Sequence, residues 1–128
     1  MLQKLTVLTI TLFAVFGSMA FAHDQFPNQP NVQGAYHRLV AALAQLEKAK
    51  IEAPEPHIKN AIVELTSANT LLTQATNNKG TYLHTAKGLC DQAATALGAT
   101  PPDLDKATEL ANRALHEVNM AGHAGAHR

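Results

Sequence analysis

GAYHRLVAALAQLEKAKIEAPEPHIKNAIVELTSANTLLTQATN, residues 34–77, decides the fold. Its first half places Tyr36, Leu39, Val40, Leu43, Leu46 and Ile51 at steps of three and four, the period of one helix face. Pro54 and Pro56 then interrupt it, because proline lacks an amide donor and its ring clashes with the preceding turn. Both prolines suit the first turn of a new helix, and Glu55 complements the positive end of its dipole. The second half repeats the helical period through Ile58, Ile62, Leu65, Ala68, Leu72 and Ala75. The stretch therefore predicts two amphipathic helices, over 34–51 and 55–77, folded back on each other.

Downstream the pattern continues. The run 77–80, Asn-Asn-Lys-Gly, suits a left-handed helix end. Thr81 is the expected cap of a third helix with stripe Leu83, Ala86, Cys90, Ala93 and Leu97. Gly88 lies within it at a cost of about 1 kcal/mol relative to alanine, and a close helix approach there would explain the residue. After Gly98, Thr100-Pro101-Pro102-Asp103 reads as a helix start, with Thr100 as N-cap and Asp103 as the capping-box acid. The fourth stripe is Leu104, Ala107, Ala111, Ala114, Val118 and Ala121, and Gly122 and Gly125 are expected to fray residues 122–128 into a flexible tail. Four such helices with short connections predict an all-α, up-down-up-down antiparallel four-helix bundle over 34–121. Alanine at so many core positions predicts close helices and a thin core, which pairing of two bundles into a homodimer would supplement.

Upstream, residues 1–22 read as a signal peptide. Lys4 supplies the basic start, 5–16 an apolar run of 12 residues, and Ala20-Phe21-Ala22 the small-residue cleavage pattern. A spanning helix needs roughly 20 apolar residues, so length argues against the alternative of an uncleaved anchor. Cleavage before His23 would leave a periplasmic or secreted chain, free of the membrane, with an extended leader over 23–33 in which Phe26 is the candidate anchor. Without Lys4 the chain carries nine basic and ten acidic residues and no Trp, which gives nucleic acid no electrostatic or stacking purchase. Cys90 is the sole cysteine, so no internal disulfide forms, and its place on an apolar stripe points to a buried, inert thiol.

The pattern His57, Ala61, Leu65, Ala68, Leu72, Ala75, Lys79-Gly80, Ala86, Leu89 and Asp91-Gln92-Ala93 resembles a group of small secreted bacterial helical-bundle proteins of uncharacterised function. The likeness covers about 40 residues. In that group a histidine follows the turn closely; here Tyr82 stands near that place and His84 two residues on. The resemblance implies a periplasmic helical hairpin and brings no activity with it.

Chemistry-bearing patterns are few. Covalent haem lacks its Cys-x-x-Cys-His, a di-iron bundle lacks Glu-x-x-His, and Cys90 sits mid-helix rather than on a turn where a nucleophile would be presented. The expectation is a non-enzymatic protein that binds a protein partner or a small ligand without a resident cofactor. The alternative rests on seven histidines. In an up-down-up-down bundle, His23, His37, His84, His116, His123 and His127 fall toward one end and only His57 toward the other. Imidazole is a common ligand for Cu, Ni and Zn, and a terminal His23 would add its amine as a chelate. Against this, His37, His84 and His116 each flank an apolar stripe by one position, where half-exposed histidine is ordinary.

Overall fold

The computed structural model describes Phe26 and residues 29–75 and 81–126. The expected signal peptide 1–22, His23, the 77–80 turn and His127 lie outside those residues. Four helices follow in order: α1 (Pro30–Ile51), α2 (Pro54–Gln74), α3 (Tyr82–Gly98) and α4 (Leu104–Ala126).

α1 begins four residues before the apolar period does. Pro30 occupies the first turn, where its missing amide costs nothing and its φ is already helical, and Val32 and Gln33 are buried behind it. The face α1 turns inward is Val32, Ala35, Leu39, Ala42, Leu46 and Ala49. Tyr36 and Leu43 pack at its margin, and Ile51 is exposed. The inward line is thus rotated from the large residues toward the alanines, which admit a closer neighbouring backbone. α2 likewise buries Ala61, Leu65, Ala68 and Leu72, with Ile58 and Ile62 alongside.

α3 buries all five residues of its expected stripe, plus Leu89 and Ala96. Two details differ from expectation. The Thr81 side chain makes no cap bond; its carbonyl instead accepts the Thr85 amide at 2.9 Å. Gly88 meets nothing within 4 Å of where a Cβ would stand, so no close helix approach accounts for it. α4 starts at Leu104, with Asp103 rather than Thr100 as its cap: Asp103 Oδ1 accepts the Lys106 amide at 3.0 Å. The Thr-Pro-Pro segment lies outside the helix, and the Asp103 amide reaches back to the Ala96 carbonyl at 3.0 Å.

Cross-helix contacts fix the topology. Asn31 donates to the Gln74 carbonyl, Arg38 pairs with Glu64, and His57 bonds Gln45, so α1 and α2 run antiparallel. Asn69 donates to Asp91 Oδ1 at 2.7 Å between α2 and α3. Gln29 reaches Gly122 while Lys50 lies 3.8 Å from Asp105, so the start of α1 meets the end of α4 and the reverse. α1 and α3 each pack on α2 and α4, which closes an up-down-up-down four-helix bundle around one apolar core. Its exposed ion pairs contribute little, at most about 1 kcal/mol each; apolar burial, at about 1.5–3 kcal/mol for each fully buried Leu, is the main force. No described helix is long and apolar enough to cross a membrane.

Candidate functional site

The end where α1 begins and α4 finishes is organised by Phe26. This ring is 1% exposed and is the aromatic member of an otherwise polar run. The Phe26 amide donates to Gln33 Oε1 at 2.7 Å, and the Phe26 carbonyl accepts the Gln29 amide at 2.9 Å. Gln33, the buried polar residue of the described core, is satisfied twice, because its other amide atom lies 2.6 Å from His37 Nε2. Its i, i+4 spacing to His37 sets that contact on one helix face.

Across the bundle the Phe26 ring lies on Gly122, where a Cβ would collide with Cε1, Cδ1 and Cζ. Gln29 Nε2 donates to the Gly122 carbonyl at 3.0 Å, while its Oε1 is buried without a partner among the described residues. Edge-on contacts complete the cluster: Phe26 to Tyr36 at 6.0 Å, Phe26 to His123 at 5.6 Å and Tyr36 to His37 at 6.0 Å. Gly122 and Gly125 therefore do not fray the chain. α4 runs helical through both to Ala126, because the aromatic anchor packs on the glycine that local propensity would read as a breaker. Nor is the leader extended throughout, since residues 30–33 are helix.

The six candidate ligands divide accordingly. His37 and His123 share the Phe26 anchor, one through Gln33 and Tyr36 and the other directly. His84 in the first turn of α3 and His116 on α4 are exposed. His23 and His127 are outside the described residues, among which no group of three His, Cys, Asp or Glu is arranged to hold a metal ion. His57 is at the opposite end, bridging Gln45 at 2.9 Å and Glu52 at 3.0 Å.

Cys90 is inert in this setting. Burial, with a smaller contribution from the neighbouring Asp91 carboxylate, pushes its thiol up to about 12, so it stays protonated at neutral pH. Two open grooves, of about 420 and 510 Å³, have no histidine in their lining, the first bordered by Asp91, Thr95 and Lys106 and the second by Lys50, Pro54 and Pro101. Periodicity could not reveal the Phe26–Gln33–Gly122 lock, although Phe26 stands out as the lone aromatic residue of the 23–33 run. Comparison with known proteins finds no matching family model, no matching curated protein and no matching solved structure.

Proposed function

We propose that the chain is an exported, non-enzymatic binding protein of the periplasm or the secreted fraction, and that it meets its partner on the helical surface at the histidine-bearing end. The observation that carries this reading is the Phe26 lock, which holds the start of α1 and the end of α4 together and sets His37 and His123 against one anchor. The described interior is filled with Ala and Leu side chains, so binding belongs to the outside. The signal-peptide pattern of residues 1–22 supports export, and so does the resemblance carried by residues 57–93. The partner is a protein or a small ligand, a second copy of the chain included.

The same juxtaposition favours a second reading, a periplasmic Cu, Ni or Zn site. Cleavage after Ala22 would start the chain three residues before Phe26, within about 10 Å of extended backbone. The His23 amine and imidazole would then join His37, His84, His116, His123 and His127 in the donor set on which this reading draws.

Calorimetric titration of the processed chain with Cu(II), Ni(II) and Zn(II), beside a His37→Ala/His123→Ala double variant, separates the two. Binding at about micromolar strength or tighter that the double variant loses establishes the metal reading. Indifference to all three ions leaves the interaction reading. Intact mass of the exported protein is expected to correspond to a start at His23; retention of residues 1–22 would overturn the export reading.

A further inference from the structure

We infer that the outer face of α4 carries a site for a soft monovalent cation, Cu(I) or Ag(I), built from His116, Met120 and His123. The three stand at steps of four and three along one continuous helix. At 3.6 residues per turn they fall within roughly 60° of one another, and neighbouring pairs have Cβ atoms about 5–6 Å apart. All three are exposed, whereas Ala114, Val118 and Ala121 on the opposite side of the helix are fully buried. Met120 is one of three large apolar side chains open to solvent among the described residues, at 36% exposure.

A single exposed methionine is ordinary. An imidazole one turn below its thioether and another one turn above form a donor set. The thioether is a soft ligand that selects Cu(I), and imidazole is borderline. The His123 ring is further held edge-on by Phe26, so part of its orientation is fixed before any ion arrives. The nearest charged residues in sequence, Arg113 and Glu117, are of opposite sign. Among the described residues the sector offers no carboxylate cluster to a hard divalent ion, and soft character sets its choice. Because the donors share one helix, the site does not rest on convergence of histidines across the bundle.

The test is titration of the processed chain with Ag(I), following the Met120 methyl signal by carbon–proton NMR. Met120 is the sole methionine after position 22, and Met120→Leu identifies its signal while leaving every imidazole in place. The methyl is expected to shift and saturate with one equivalent of Ag(I). Met120→Leu and His116→Ala are each expected to weaken binding on the order of tenfold or more, by the scale on which metal sites respond to loss of a supporting group. Circular dichroism checks that both variants stay helical, and any response to Zn(II) at the histidine end should survive Met120→Leu. A methyl signal that does not move, unchanged Ag(I) affinity in Met120→Leu, or Ag(I) uptake that vanishes with Cys90→Ala would each overturn the assignment.

Discussion

Gly122 accepts the Phe26 ring where any side chain would collide with it, whereas Gly88 faces open space in mid-helix. The two glycines therefore respond oppositely to the same change. Gly88→Ala is expected to raise the melting temperature, because alanine is favoured in a helix by about 1 kcal/mol and meets no obstacle. Gly122→Ala gains the same propensity but must displace a fully buried ring, and overpacking of that kind costs about 1–3 kcal/mol. Its melting temperature is expected to fall below that of the Gly88 variant and of the parent. Cys90 gives a second test at this scale. Its folded thiol keeps the proton to about pH 12, while the unfolded thiol releases it near 9. Deprotonation thus favours the unfolded chain: the contribution is complete below pH 9 and is lost as pH rises toward 12. Urea midpoints across that window should fall less in Cys90→Ala than in the parent, and iodoacetamide should label the parent only after denaturation.

Among the elements, the start of α4 separates two readings of one tetrapeptide. Asp103 caps the helix through the Lys106 amide, and Thr100 does not. Asp103→Ala is expected to cost about 1 kcal/mol in denaturant unfolding, the usual loss of a cap, while Thr100→Ala should be close to neutral. Equal losses would place the cap wrongly. Thr-Pro-Pro-Asp holds two residues able to cap, and only the Asp103 amide bond back to Ala96 decides between them. The stripes of α3 and α4 were legible because each residue's burial follows from its own helix period. The inward face of α1 was less so, since large residues dominate a hydrophobic count while alanines, by admitting a near neighbour, take the centre. The extension of α4 past Gly122 was not legible at all. It depends on the segment at Phe26, and its Gln29–Gly122 hydrogen bond joins positions 93 residues apart, beyond any local pattern.

For the whole molecule, topology alone brought His37, His84, His116 and His123 toward one end, and that much followed from four alternating helices. The azimuth of each ring did not. All four are exposed, and His37 and His123 also gather at the Phe26 anchor, because the stripe periods that fix the core say little about the surface. Phe26 is thus the residue on which the end of the bundle depends. Phe26→Ala is expected to destabilise the fold by about 3 kcal/mol or more, with the greatest loss of amide-exchange protection at the start of α1 and the last turns of α4. The most direct measurement of the closed, alternating bundle is a set of proton NOEs from the Phe26 ring. Cross-peaks to the Gly122 α-protons and the His123 ring are predicted, and a Phe26 ring with solvent-like shifts and no cross-peak to either residue would contradict the account.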